Sequence, residues 1–324
     1  MNYSNSYKSK QFFALVVKLF VVIGCGYFIY NKIFTNQQQS FSDFTSVLTK
    51  NDVFSLKNTL FLLIFSFFNW FLEIIKWKLL VNQVQNISFS EAVEQNLASL
   101  TASLITPNRI GEYGAKAMYF KKSLSKKILA LNLVGNFSQL IVTIAFGTIG
   151  CIFLFFNFSI KFDYIIIIFM LFFLLLLFLI IRFIDKKGIS FKGYSTKSFK
   201  KFMNDFSKKS IQKVFFLSVL RFVLFSHQFY FLLLIFNIDI LYLDAMMCIF
   251  SMYLIASIIP MLSLFDVVLK SSVAILIFSL FQIDETKILA IVLLMWIFNF
   301  VLPSIVGSYF VLTFKTEKLI NNKT

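Results

Sequence analysis

Long apolar stretches between short charged segments constrain this chain more than any other feature of its sequence. Residues 164–181, for example, contain no charged side chain, and a helix needs about 20 mainly apolar residues to cross a bilayer. The pattern therefore predicts an all-α, polytopic membrane protein with about six full transmembrane helices. The predicted full spans cover residues 12–33, 56–80, 128–156, 163–182, 214–236 and 288–313.

The composition excludes the main alternatives. Hydrophobic residues make up 59% of the chain and Phe occurs 46 times, which is more apolar surface than a soluble fold of this size can bury. A transmembrane β-barrel would alternate polar and apolar residues, whereas these stretches are continuous. The formal net charge of +16 would suggest nucleic acid in a soluble protein. Here the positive charges lie between apolar spans, so we predict no nucleic-acid partner.

Two further segments, residues 90–120 and 245–282, are each interrupted by a proline, Pro107 and Pro260. Proline lacks the backbone donor of a helix interior and disfavours helix at the preceding residue. Each segment is therefore predicted to form two half-helices with a break between them. The sequence leaves open whether these broken segments are re-entrant or cross the membrane completely.

The two broken segments resemble one another. Ala102-Ser103 and Ala256-Ser257 precede the two prolines, and in each segment an acid follows the proline and a base lies four residues after that acid. The preceding spans come in the same order but enter from opposite sides of the membrane. These features predict one membrane domain, 1–324, built as an inverted repeat of residues 1–157 and 158–315, although chance similarity between two short motifs is the alternative.

The Lys and Arg residues indicate the orientation. They concentrate at both termini and in the segments 82–127 and 183–213, which would all be cytoplasmic if the N-terminus lies inside. We therefore expect both termini in the cytoplasm and a basic cytoplasmic loop at 183–213. Within that loop, Phe199, Phe202 and Phe206 have helical spacing, which is typical either of an amphipathic helix on an anionic leaflet or of an ordinary basic loop.

Polar side chains at helical spacing mark three of the spans. Glu73, Asn136 and Arg221 are the candidate binding residues among them, because a charge inside the membrane needs a partner or water. The alternative is that the stripes hold helices together through hydrogen bonds. The complete stripes are Asn69, Glu73 and Lys76; Asn132, Asn136 and Gln139; and Ser218, Arg221 and Gln228.

The broken segments supply the other candidate binding residues. Arg109 would begin the half-helix after Pro107, where free N–H groups and a guanidinium could bind a phosphate. The pairs Glu112–Lys116 and Asp266–Lys270 have the spacing of local salt bridges, which is the alternative to a role in binding.

The remaining candidates for chemistry are few. We interpret the single histidine, His227, as a hydrogen-bonded helix contact rather than a proton relay. The three cysteines lie inside apolar runs without ligand spacing. The sequence therefore predicts no metal, no cofactor and no catalytic residues.

The segment Thr106-Pro107-Asn108-Arg109-Ile110-Gly111-Glu112, followed by Lys116, resembles the first-half motif of the flippase-like family, the transmembrane region of lysylphosphatidylglycerol synthase. The resemblance implies a lipid translocation domain with two re-entrant segments. It also implies that the substrate is a polar or aminoacylated phospholipid or a lipid-linked glycan, and we expect a bacterial cytoplasmic (inner) membrane protein. Asn108 replaces a glycine that is frequent in the family, and the segment 260–266 lacks the glycines of the second-half motif.

Three functions follow from these features. The first is a lipid flippase or translocase that binds a polar or phosphate-bearing lipid. The second is an accessory membrane subunit that acts with a lipid synthase or glycosyltransferase without transporting anything. The third, an intramembrane lipid-modifying enzyme, is the weakest hypothesis because the sequence shows no catalytic constellation. Lipid aminoacylation is not expected either, because the chain ends shortly after its last span.

Overall fold

The computed structural model describes residues 49, 52–104, 106, 109–158, 190–191, 194–195, 206–258 and 266–314. The predicted spans 12–33 and 163–182, Pro107 and Pro260 lie outside the described residues. The helices are α1 Leu56–Val81, α2 Phe89–Ser103, α3 Ile110–Ala117, α4 Ser125–Phe158, α5 Lys208–Ile235, α6 Tyr242–Ile258, α7 Asp266–Phe278, α8 Glu285–Trp296 and α9 Leu302–Thr313.

Four of these helical stretches are long and apolar enough to cross a membrane: α1, α4, α5 and the continuous stretch Glu285–Thr313 that contains α8 and α9. They coincide with the four predicted full spans that lie among the described residues. Side chains on their outer surfaces, such as Phe67, Phe137 and Ile305, are large, apolar and exposed. The protein is therefore a multi-pass α-helical membrane protein.

Side-chain caps define where α2 and α8 begin. The Ser88 hydroxyl accepts from the Glu91 amide at 3.1 Å, and the Glu91 carboxylate accepts from the Ser88 amide at 2.7 Å. This capping box satisfies two N–H groups that the first turn of α2 leaves free. At α8, the Asp284 carboxylate accepts from the Lys287 amide at 3.0 Å.

Each broken segment consists of two short helices. The first contains α2 and α3, of 15 and 8 residues, and the second contains α6 and α7, of 17 and 13 residues. Arg109 immediately precedes α3 with a left-handed backbone, φ 57° and ψ 30°. A non-glycine residue in this region is strained, which is a feature that clusters at functional sites.

The last span is interrupted by a π-helix, Ile297–Val301, between α8 and α9. Pro303 follows this turn, and its ring nitrogen cannot donate to the carbonyl of Asn299. The Trp70 indole N–H of α1 donates to that carbonyl at 3.0 Å, and the Ser66 hydroxyl donates to the neighbouring Phe298 carbonyl. Helix α1 thus satisfies the backbone groups that the irregular turn leaves free.

Glycines allow two pairs of helices to approach closely. A Cβ atom built on Gly307 of α9 would lie 2.1 Å from the Leu97 carbonyl oxygen of α2. A Cβ atom built on Gly150 of α4 would lie 2.6 Å from the Met247 carbonyl oxygen and 2.7 Å from the Ser251 hydroxyl oxygen of α6. The first helix of each broken segment therefore packs so closely against a full span that the two backbones are in contact.

The structure describes the C-terminal end of the segment 183–213, from Phe206 onward. Phe206 is buried against Ile128 and Val214, and it lies in a bend just before α5 rather than on a helix at the membrane surface. Of the two alternatives for this segment, the position of Phe206 fits an ordinary loop better than a surface helix, while Phe199 and Phe202 lie outside the described residues. Two antiparallel strands of two residues each, β1 Ser190–Phe191 and β2 Tyr194–Ser195, are a small departure from the all-α prediction.

Candidate functional site

A buried cluster of three charges, the Glu73 triad, joins α1 to α5. The Glu73 carboxylate lies 2.6 Å from the Lys76 ammonium and 2.8 Å from a guanidinium nitrogen of Arg221. The Lys76 side chain is 2% exposed, whereas the Arg221 side chain is 16% exposed. The acid is thus held between an inner lysine and an outer arginine.

A second cluster, the Glu112 triad, has the same composition. The Glu112 carboxylate lies 2.7 Å from the Lys116 ammonium and 3.1 Å from the Arg109 guanidinium. Lys116 also donates to the Asn132 side-chain oxygen at 2.9 Å, and its ammonium lies 4.2 Å from the ring centre of Trp77. Lys116 is therefore enclosed, while the Arg109 side chain is 36% exposed.

A chain of amide side chains extends the Glu73 triad across three spans. The Arg221 Nε donates to Asn69 at 2.8 Å, and the Asn69 amide donates to Asn299 at 2.8 Å. Asn299 in turn donates to Gln228 at 2.7 Å, and Gln228 donates to the Leu62 carbonyl at 3.1 Å. Each amide has a defined orientation because it both donates and accepts, so the chain fixes the position of Arg221.

Both broken segments and several spans line one chamber of about 590 Å³. This volume is within the range of small-molecule sites in proteins, about 300–1,000 Å³. Its wall combines charged and amide groups with aromatic rings. The lining includes Asn69, Trp70, Arg109, Asn136, Gln139, Arg221, Phe225, Tyr253, Ser257, Asp266, Lys270, Trp296, Asn299 and Phe300.

The structure brings five of the eight predicted binding residues to the chamber wall: Arg109, Asn136, Arg221, Asp266 and Lys270. The Asp266 carboxylate lies 2.6 Å from the Lys270 ammonium, and both side chains are about one third exposed. The Asn136 amide donates to the Tyr113 hydroxyl at 3.1 Å.

The other three predicted residues, Glu73, Glu112 and Lys116, do not line the chamber; they are buried behind its two arginines. His227 is not among the lining residues. Its ring nitrogens lie 2.8 Å from the Val223 carbonyl oxygen and 2.9 Å from the Tyr242 hydroxyl, as expected for a helix contact.

Sequence reasoning missed Asn299 and Trp296 on the chamber wall. Both lie inside the apolar stretch 288–313, which was predicted as an uninterrupted span. The available signal was the third proline, Pro303, four residues after the only asparagine of that stretch. A proline leaves the backbone carbonyl four residues before it without its helical partner. An asparagine at that position indicates a polar, irregular turn in a membrane helix.

The charges around the chamber do not balance. The two triads and the Asp266–Lys270 pair contain five bases and three acids, which leaves a formal excess of two positive charges. A guanidinium binds oxyanions such as phosphate with two parallel hydrogen bonds. Among the described residues, no group of three His, Cys, Asp or Glu side chains is arranged to hold a metal ion. The site can therefore bind an oxyanion in a partly aromatic chamber.

These features define a polytopic membrane protein with a cation-lined chamber between broken helices. The chain belongs to the lysylphosphatidylglycerol synthase transmembrane-region family, whose model matches residues 15–307. It is thus a membrane protein associated with lipid metabolism, as the resemblance in the sequence indicated. No curated protein matches the chain closely enough to be reported as a relative.

Proposed function

We propose that the protein is a translocase for a polar or phosphate-bearing lipid, such as an aminoacyl-phospholipid or a lipid-linked glycan. One observation carries the proposal: the chamber wall contains Arg109 from the first broken segment, Asp266 and Lys270 from the second, and Arg221 from a full span. A charged headgroup meets a barrier of several kcal/mol or more in hydrocarbon. A chamber with these groups would replace the water of the headgroup, while the acyl chains stay in the bilayer.

The proposal includes an inverted repeat with six full spans and two re-entrant segments. The way in which the two halves pack against each other supports the inverted repeat. The first helix of each broken segment packs against the last full span of the other half, α2 on α9 and α6 on α4. The register that aligns Ala102 with Ala256 also aligns Leu97 with Ser251. Leu97 lies closest to a Cβ built on Gly307, and Ser251, next to Met247, lies close to a Cβ built on Gly150. Transporters with such repeats carry their sites between the breaks.

The location and partners are part of the same proposal. The family resemblance implies the cytoplasmic (inner) membrane of a bacterium, and the distribution of Lys and Arg along the sequence supports an orientation with both termini in the cytoplasm. Membrane lipids are the proposed ligands.

Reconstituted vesicles of phosphatidylethanolamine and phosphatidylglycerol, with a fluorescent phosphatidylglycerol as the probe, test the function. We expect the protein to raise the rate at which probe in the inner leaflet becomes accessible to an external quencher. Arg221→Met should abolish this increase, and the variant should fold because Glu73 keeps Lys76 as its partner. Lys209→Met is the matched control, since it removes an exposed cation from the same helix. Rates equal to those of protein-free vesicles would refute the function.

An accessory, non-transporting subunit is the second candidate. The observation that favours it is the sequence of residues 260–266, which lacks the glycines expected in the second half of the family motif. Close approach of backbone to a ligand is harder without glycine. Co-purification of a lipid synthase or glycosyltransferase, together with an absence of transport by the purified protein, would favour this function.

A further inference from the structure

The two triads share a construction that neither the resemblance nor the family explains. In each, one carboxylate is held between a lysine whose side chain is at most 2% exposed and an arginine that reaches the chamber wall. We propose that the inner lysines, Lys76 and Lys116, are positioning residues that neutralise the two acids and thereby leave Arg221 and Arg109 free to bind a phosphate-type oxyanion. This proposal rests on the lipid-binding part of the proposed function and does not require translocation.

An arginine that binds a ligand gives up part of its contact with its own carboxylate. If Arg221 were the only partner of Glu73, an oxyanion on Arg221 would have to compete with that carboxylate and would also be repelled by it. A buried charge without a partner is strongly unfavourable. Because Lys76 lies 2.6 Å from Glu73, the acid keeps a partner when the arginine turns to a ligand. The Glu73 triad thus carries one net positive charge, which lies at the chamber wall.

The Glu112 triad repeats this arrangement. Lys116 lies 2.7 Å from Glu112 and is also held by Asn132 and the ring of Trp77, so it cannot reach a ligand in this state. Arg109 retains more than one third of its side-chain exposure. Two arginines therefore line the same chamber, and the acid beside each is neutralised by a buried lysine.

The third ion pair at the chamber lacks this construction. Asp266 pairs with Lys270 across one turn of α7, and both are about one third exposed. This pair is formally neutral. The excess positive charge of the site is accordingly carried by the triads, and the lysines that create it do not touch the ligand.

Binding of lipid to the purified full chain in detergent tests the proposal. Phosphatidylglycerol is titrated and followed by native mass spectrometry, with zwitterionic phosphatidylcholine as the comparison lipid. Lys76→Met should raise the apparent Kd for phosphatidylglycerol at least about tenfold, because it turns the triad into a neutral pair. Lys116→Met should do the same in the other triad, and Lys209→Met, an exposed cation on α5, should leave the Kd unchanged.

A double substitution separates positioning from simple support of the fold. Lys76→Met combined with Glu73→Gln removes both the inner lysine and the acid, so Arg221 is again a free cation. The apparent Kd should return to within about threefold of the wild-type value. If the double variant binds as weakly as Lys76→Met alone, or if Lys76→Met binds as the wild type does, the proposal is overturned. Lys116→Met with Glu112→Gln gives the same test should the Lys76 variants fail to fold.

The ligand could be a lipid headgroup or free phosphate, so inorganic phosphate is added as a competitor. If phosphate displaces the lipid, the site recognises the oxyanion alone. If phosphate does not displace it, the site recognises phosphate only as part of a lipid. In either case the lysine variants must bind that ligand more weakly than the wild type does. Wild-type protein that binds phosphatidylglycerol without translocating it would refute the proposed function and leave this inference intact. Wild-type protein that prefers phosphatidylcholine would overturn the inference.

Discussion

Substitution of Gly307 by alanine should destabilise the contact between α2 and α9. The new Cβ would lie 2.1 Å from the Leu97 carbonyl oxygen and 2.4 Å from the Thr101 hydroxyl oxygen. Carbon and oxygen atoms normally approach no closer than about 3.3 Å, so α9 would have to retreat by about 1 Å. That movement would also stretch the 2.8 Å hydrogen bond from Thr101 to the Ser304 carbonyl.

The expected cost combines two contributions. Overpacking a well-packed contact costs about 1–3 kcal/mol, and a hydrogen bond between transmembrane helices contributes about 0.6–2 kcal/mol. We therefore expect Gly307→Ala to lower the free energy of unfolding by about 2–4 kcal/mol. Unfolding in mixed detergent micelles of increasing dodecyl sulfate content, followed by tryptophan fluorescence, measures the change.

Gly114 provides the matched control because a Cβ at this position would meet no atom within 4 Å. It lies inside α3, where alanine favours helix over glycine by about 0.5–1 kcal/mol. Gly114→Ala should therefore be neutral or slightly stabilising, whereas Gly307→Ala should be clearly destabilising. Equal shifts in both variants, or a change below about 0.5 kcal/mol in Gly307→Ala, would refute the packing argument.

Three further predictions concern the chamber. Trp70→Phe removes the donor to the carbonyl that Pro303 leaves free, and should lower the free energy of unfolding by about 1–2 kcal/mol in the same micelle assay. Asn299→Leu breaks the amide chain that orients the chamber arginine, so the rate of probe translocation should fall although every charged side chain remains; an unchanged rate would contradict the positioning role. Lys270→Met leaves Asp266 without its cation and should weaken binding of phosphatidylglycerol, whereas adding Asp266→Asn should restore it; a double variant no better than the single would exclude the electrostatic explanation.

The local part of the site could be predicted from the sequence. Helical spacing placed Glu112 and Lys116 one turn apart, and the same rule paired Asp266 with Lys270. Apolar stretches gave the positions of the four described spans to within a few residues at most ends. These predictions succeed because neighbours on one helix depend only on a fixed period.

The contacts between helices could not be predicted in this way. Arg221 reaches Glu73 across 148 residues, and Asn69 reaches Asn299 across 230. Periodicity shows which residues share a face of a helix, but it does not show which faces meet. The shared carboxylate of the Glu73 triad therefore became apparent only in the structure.

Three places where a helix begins, ends or is irregular lie at the chamber, and this arrangement fits the cost of exposing backbone polar groups to lipid. Arg109 stands in a left-handed conformation before α3, Ser257 lies in the last turn of α6, and Asn299 lies in the π-helix; all three line the chamber. Broken or π-helical backbone in a membrane is tolerated only where protein or water supplies partners. The polar chamber and the interrupted helices thus support one another. Trp70 on the chamber wall donates to a carbonyl of the irregular turn, and the start of α3 brings Arg109 to the same wall.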